Sequence, residues 1–313
     1  MITLTKFRMK TIFPLFFLAI FSCQPPNQTQ SMLMNDISII PEPVSKQILN
    51  GTFDLKSIKG IILKNESEKE RNIAVLFQKY LNPAISLSIS EFVPASLSGT
   101  LDHIIISLDT NADIHPEGYN LAVGDHQRIE LKASSFSGLF YGFQTFRQLC
   151  PPGLEKGERP ENTLIQNCKI VDAPTFGYRG MHLDVSRHFF DVKFIKTYID
   201  MIALHKMNVF HWHLTDDNGW RIEIKKYPEL SEKSAWRVDR TEEPWKEQSP
   251  IHPGEKATYG GYYTQDEIRD VIKYASDRNI VVIPEIEMPG HTSEVFAAFP
   301  NLSCKGDTLP VNP

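Results

Sequence analysis

Carboxylates, imidazoles and guanidinium groups converge in three short stretches of this chain. The first holds Asp184, Arg187 and His188. The second holds His211, His213, Asp216 and Asp217, followed by Asn218, Gly219, Trp220 and Arg221. The third holds Glu285 and Glu287, then Pro289, Gly290, His291 and Thr292. A carboxylate beside an imidazole can tune and relay a proton, because a neighbouring charge shifts the pKa of either partner. A His-x-His step such as His211 and His213, with Asp216 and His291, is also a pattern that could ligate zinc, which would make a metal-dependent hydrolase.

The elements that must position these stretches alternate strand and helix. Residues 180–185, 208–214 and 280–286 read as strands. Residues 194–205 read as a helix, with Ile195, Tyr198, Ile199 and Ile202 on one face. Thr264 and Glu267 form a capping box that opens another helix, whose Ile268, Val271, Ile272 and Ala275 are spaced for burial. Such repetition predicts parallel strands with right-handed crossovers, as in a (β/α)8 barrel, where chemistry sits at the C-terminal strand ends. All three polar stretches fall at those ends. The segment 174–313 supplies only three such strands and is short against the roughly 250 residues of a complete barrel, so the barrel is expected to be incomplete.

Residues 37–173 have a different rhythm. Residues 102–108 read as a buried strand, 118–123 and 128–133 as a hairpin turning at Asp125 and His126, and 70–81 and 137–149 as helices. The whole predicts an α/β chain, an N-terminal α+β domain followed by the first part of a TIM barrel. Composition agrees with a globular body: 41% of residues are hydrophobic, 23% are charged and the net charge is −5. Without a long basic run, a nucleic-acid surface finds no support.

The first residues have another purpose. Lys6, Arg8 and Lys10 precede an apolar stretch, 11–22, that is too short to span a bilayer and suits a signal-peptide core. Cys23 follows at once, then a polar, Pro-bearing tether to residue 36. The pattern resembles a bacterial lipoprotein signal with Cys23 as the lipidated residue, which implies export to the periplasm or outer membrane and membrane contact only through the anchor. Cys150 and Cys168 are either a bridge or two buried thiols.

The segments YRGMHLDVSRHF at 178–189, MNVFHWHLTDD at 207–217 with GWR at 219–221, and PEIEMPGHT at 284–292 resemble the β-N-acetylhexosaminidases of glycoside hydrolase family 20. Residues 37–173 are similar to that family's non-catalytic domain through IPEP at 40–43, EGY at 117–119 and GLFYG at 138–142. The resemblance implies an exo-acting hydrolase that needs no cofactor or metal and releases terminal N-acetylglucosamine or N-acetylgalactosamine from a glycan or chitooligosaccharide. Its nucleophile is the substrate's own acetamido oxygen. It further implies that Arg179 grips sugar hydroxyls, that Asp217 and Glu285 line the substrate, and that Asp216 and His291 form a support pair for the acid.

Each residue has a plainer alternative. Arg179 could pair with Asp184 or Asp216, His211 and His213 read as packed core histidines, and Trp220 reads as packing. Glu285 and Glu287 are either solvated or at the mouth. The family's catalytic Asp-Glu pair belongs to a fourth strand, and the only Asp-Glu here, Asp266–Glu267, sits in the capping box. The chain is therefore expected to be truncated before its acid and inactive by itself. A non-catalytic, lipid-anchored glycan-binding protein is the third reading.

Overall fold

The computed structural model describes residues 37–65, 67–90, 100–307 and 309–312. The expected signal and Cys23 lie outside the described residues. Strands β1 (Ser45–Asp54) and β2 (Gly60–Leu63), helix α1 (Glu68–Leu81), β3 (Ser88–Ser90), β4 (His103–Leu108), β5 (Tyr119–Val123), β6 (Ile129–Ala133), helix α2 (Phe136–Leu149) and β7 (Leu164–Asp172) build the first region. The strands form one mixed sheet in the order β1-β7-β5-β6-β4-β2-β3. The β5–β6 hairpin is antiparallel, while β6, β4, β2 and β3 run parallel.

Both helices begin on a serine whose hydroxyl accepts a backbone N–H, Ser67 from Glu70 and Ser135 from Gly138. Phe77 of α1 meets Phe143 and Phe146 of α2 with ring centroids 4.8 and 4.9 Å apart. Each such fully buried side chain contributes about 1.5–3 kcal/mol. Gly142 lets α2 lie directly on the sheet, since a Cβ there would stand 2.3 Å from Leu131. Cys150 and Cys168 are buried free thiols.

The second region starts with β8 (Gly180–Asp184), α3 (Val192–Leu204) and β9 (Val209–His213). A small hairpin, β10 (Thr215–Asp216) and β11 (Gly219–Trp220), follows. Then come α4 (Glu229–Glu232), the pair β12 (Trp236–Val238) and β13 (Ala257–Gly260), α5 (Gln265–Ser276), β14 (Val281–Glu285) and α6 (Ser293–Ala298). Strands β14, β9 and β8 form a parallel three-stranded arc. The outer face of β9 carries Phe210 and Trp212, which pack with Ile195 and Ile199 of α3 and Val271 and Ala275 of α5 in the core. The capping box at Thr264 and Glu267 is complete.

Helix α2 also touches the N-terminal end of the arc. Ser137 donates to Asn279 Oδ1 at 2.9 Å, and Gln148 donates to the Leu204 carbonyl at 3.1 Å. The sheet domain therefore seats the arc from below and leaves its opposite end free for chemistry.

Candidate active site

Parallel register decides which side chains share the concave face of the arc, because paired residues point the same way. His182 is in register with His211, and His211 with Ile283. One layer higher, Asp184 is in register with His213, and His213 with Glu285. The concave face thus carries imidazoles and carboxylates where the convex face carries core. Glu285 Oε2 stands 2.6 Å from both His211 Nε2 and His213 Nδ1, and 3.8 Å from His182 Nε2. Burial works against ionisation of Glu285, yet the His213 and His211 imidazoles hold its carboxyl down at about 2.

Above these layers, the strands end in loops that meet at Asp216, whose side chain is 3% exposed. Arg187 Nη2 donates to Asp216 Oδ2 at 2.6 Å, and Nη1 donates to Asp184 at 2.8 Å. His213 Nε2 lies 3.0 Å from Asp216 Oδ2, and the Asp217 backbone N–H donates to Oδ1 at 2.8 Å. His291 Nδ1 sits 3.3 Å from both Asp216 Oδ1 and Asp217 Oδ2. Ser293 donates to Asp217 through its backbone N–H and its hydroxyl. Burial raises the Asp217 pKa, but these Ser293 bonds and the His291 contact leave it below the usual carboxylate range.

The loops are tied by Arg221, which is fully buried and donates to the carbonyls of Val185, Ser186, Asn218 and Gly261. Gly219 makes room for it, as a Cβ there would fall 2.2 Å from the guanidinium carbon. A cavity of about 600 Å³ opens on this end, lined by Arg187, Asp216, Asp217, Asn218 and His291 among others. That volume suits a small polar ligand.

Six of the residues singled out in the sequence fall in two adjoining places. Asp216, Asp217 and His291 line the cavity, while Glu285 sits below them between His211 and His213. Those two histidines therefore belong to a charged layer rather than to an apolar core. Glu287 donates its backbone N–H to Thr215 Oγ1, and Trp220 is buried with its indole N–H on the Ile222 carbonyl.

Arg179 is the correction. It precedes β8, at the N-terminal end of the arc, so about 16 Å of strand separates it from the cavity. Its guanidinium is spent there. Nη2 and Nη1 donate to Glu117 at 2.9 and 3.2 Å, Nη1 also to the Phe176 carbonyl and Nε to the Lys206 carbonyl. Neither Asp184 nor Asp216 is its partner. The arginine at the mouth is Arg187, eight positions on; the signal that finds it is strand direction, since only the residue after the strand can reach the C-terminal end.

Three trios among the described residues bring possible metal ligands within 4.8 Å of one another: His182, His211 and Glu285; His213, Glu285 and Glu287; and Asp216, Asp217 and His291. Glu285 already faces His211 and His213, Asp216 faces Arg187, and Asp217 faces Ser293, so a cation there would have to displace protein contacts. Asp266–Glu267 contributes nothing to the site. Asp266 pairs with Arg269, and Glu267 closes the helix cap.

Comparison with known proteins defines the class. Residues 176–312 match the glycosyl hydrolase family 20 catalytic domain, and residues 36–173 match domain 2 of the same family. The chain is 40% identical over 269 residues to a β-hexosaminidase of Porphyromonas gingivalis, covering 86% of this chain and 32% of that protein. It is 40% identical over 265 residues to a β-hexosaminidase of Vibrio furnissii, covering 84% and 39%. The crystal structure of the Streptomyces plicatus N-acetyl-β-hexosaminidase superimposes with a TM-score of 0.73 at 32% identity, over 88% of this chain and 50% of that one. The chain therefore belongs to glycosyl hydrolase family 20. It spans about a third to half of the length of these relatives.

Proposed function

We propose that this chain binds the terminal N-acetylhexosamine of a glycan or chitooligosaccharide, as the sugar-holding part of an exo-acting, retaining β-N-acetylhexosaminidase. The observation that carries this reading is the Arg187–Asp216–His291 constellation beside an open cavity at the C-terminal ends of parallel strands. In the substrate-assisted reaction, the sugar's own acetamido oxygen attacks C1, and a carboxylic acid protonates the leaving oxygen. The residues present supply the surroundings of that step. Arg187 offers a rigid fork of donors, suited to paired hydroxyls. Asp216 lies 3.3 Å from His291 Nδ1 and so orients the imidazole, whose other nitrogen is left to meet a polar group of the ligand or a carboxyl seated against it.

No Asp-Glu pair stands at this mouth among the described residues. The S. plicatus relative, solved with GlcNAc as product, supports the choice of sugar. Calorimetric titration with N-acetylglucosamine tests it. Binding should be measurable, and Arg187→Lys, which keeps the charge but loses the fork, should weaken it by about tenfold. A chain that binds no N-acetylhexosamine overturns the reading.

We further propose that the protein is exported and held by lipid on Cys23. The basic start, the apolar 11–22 stretch and the tether support this reading. Labelled palmitate should enter the wild-type chain in a bacterial host and fail to enter Cys23→Ala; equal labelling of both would refute it.

A further inference from the structure

We infer that Arg237 is a positioning residue for Arg187: through one buried hydrogen bond it sets the backbone of the arginine that faces the sugar, and so governs how tightly the mouth holds its ligand. The inference rests on the reading of the mouth as the seat of the terminal N-acetylhexosamine.

The loop that follows β8 is held through its backbone. The Val185 N–H donates to the His213 carbonyl at 3.2 Å, and the N–H groups of Ser186 and Arg187 donate to Asp184 Oδ1 at 2.9 and 3.1 Å. Three successive carbonyls, those of Val185, Ser186 and Arg187, each accept from a buried guanidinium. Arg221 donates to the first two at 3.1 and 2.6 Å, and Arg237 Nη2 donates to the third at 2.7 Å. A side chain as long as that of Arg187 points accurately only when the backbone beneath it is fixed, so the loop is preorganised for a task at its tip.

The two arginines differ in what they hold. Arg221 also donates to the Asn218, Ala235 and Gly261 carbonyls, so it ties the whole top of the arc together. Arg237 has one backbone acceptor among the described residues, and it is the Arg187 carbonyl. Strand pairing puts it there. Arg237 of β12 stands directly opposite Tyr259 of β13 in the antiparallel register, so both side chains leave the same face. The guanidinium carbon lies 4.9 Å from the centroid of the Tyr259 ring, a cation–π contact. The Tyr259 hydroxyl in turn accepts the Phe189 N–H at 3.2 Å, so the pair grips the loop on both sides of His188.

The burial of Arg237 is the second argument. It is 2% exposed, and its Nε and Nη1 have no hydrogen-bond partner among the described residues. Burial pulls its pKa below the ordinary arginine value, with the Tyr259 side chain acting the other way. A buried cation with unfilled donors weakens a fold, and an apolar side chain of similar volume would fill the same place more favourably. What the apolar side chain lacks is the bond to the Arg187 carbonyl. That bond is the one thing the guanidinium gives the backbone, and it falls on the residue that faces the cavity.

The experiment is an NMR titration of the full chain with N-acetylglucosamine, run as a double-mutant cycle. Arg237→Met keeps an apolar stem and removes the donor, and it should weaken binding about tenfold. In an Arg187→Lys background, where the fork is already gone, the same change should weaken binding by less than about twofold. A merely structural role would lower affinity equally in both backgrounds. Tyr259→Phe is a milder variant that keeps the ring under Arg237 and loses only the hydroxyl on the Phe189 N–H. It should weaken binding about threefold with Arg187 present and not with Lys there, and it decides the matter if Arg237→Met does not fold. Unchanged affinity in the folded variant, or equal losses in the two backgrounds, would overturn the positioning role and leave the mouth intact. Failure of the wild-type chain to bind the sugar would overturn the mouth and this role together.

Discussion

The two ends of the three-stranded arc are built around the same kind of group, an arginine paired with carboxylates, and they do opposite things. At the N-terminal end, Arg179 is bound by Glu117 and by two carbonyls, and Lys206 by Asp172 and the Tyr119 hydroxyl. Those donors end on protein acceptors, and the cavity they line, about 250 Å³, is less than half the volume of the one at the other end. At the C-terminal end, Arg187 holds Asp184 and Asp216, but its side chain is 31% exposed and that of His291 is 57% exposed, on an open cavity. A buried ion pair whose valences are filled is a clamp between domains. The same pair left open on one side is, in the function proposed above, the receptor. Residue type does not separate the two; the end of the strand does.

The largest test of this contrast breaks the clamp. Arg179→Ala would leave Glu117 partly buried without its cation and strip two carbonyls of their donor. Unfolding in urea should show a loss of about 3 kcal/mol, while the folded fraction binds N-acetylglucosamine as tightly as before. If stability holds and affinity falls, Arg179 belongs to the sugar after all and the two ends are not distinct.

A second test concerns Glu294, in the first turn of α6 behind the receptor end. It is fully buried, and neither carboxylate oxygen has a hydrogen-bond partner among the described residues. Burial, with Asp217 and Asp216 adding repulsion, pushes its pKa up to about 8. A carboxyl with a raised folded pKa favours folding most below its unfolded pKa, near 4.5, and that stability is lost as pH rises towards 8. Glu294→Gln, neutral throughout, should therefore be more stable than wild type at pH 8 by on the order of 2 kcal/mol, with the gain gone at pH 4. Glu285 has the opposite sign. Its depressed pKa contributes stability above pH 4.5 that fades as pH falls towards 2. A pH-independent difference between wild type and Glu294→Gln would show that Glu294 is ionised and paired in solution.

Much of this contrast was legible in the sequence, and the part that was not has a physical cause. The arc strands, α3 and the capped α5 announced themselves through period and capping, because one face of each must be buried. Asp216, Asp217 and His291 stand out in the sequence because carboxylate and imidazole types cluster after strands, and the structure brings the three side by side. Arg179 was misplaced because two arginines flank one short strand, and only the direction of the chain says which faces the chemistry. The strand pair β12–β13 was missed, since a three-residue strand has no period to read. Nothing in the string of letters marks Glu294 as buried either; an acidic residue in the first turn of a helix is the ordinary, solvated expectation.

The smallest test compares backbone strain at the two ends. Lys206, at φ +59°, and His291, at φ +50°, both sit in the left-handed region, which costs a residue with a Cβ about 1 kcal/mol and glycine almost nothing. At the clamp, Lys206→Gly would relieve that strain but leave Asp172 and Tyr119 without the ammonium, and burial of the polar partners outweighs the relief; net destabilisation is expected. At the receptor, His291→Gly loses only half-exposed contacts at 3.3 Å, which are worth a few tenths of a kcal/mol by the usual scale of exposed pairs. Relief and loss then nearly cancel, and urea midpoints should move by less than about 0.5 kcal/mol equivalent. A receptor can hold a strained residue at little cost to the fold because its partners are open to water, whereas a clamp holds its strained residue through the bonds that make it a clamp. Equal losses at the two positions would show that His291 is as deeply engaged as Lys206, and the distinction between the ends would fail at its most sensitive point.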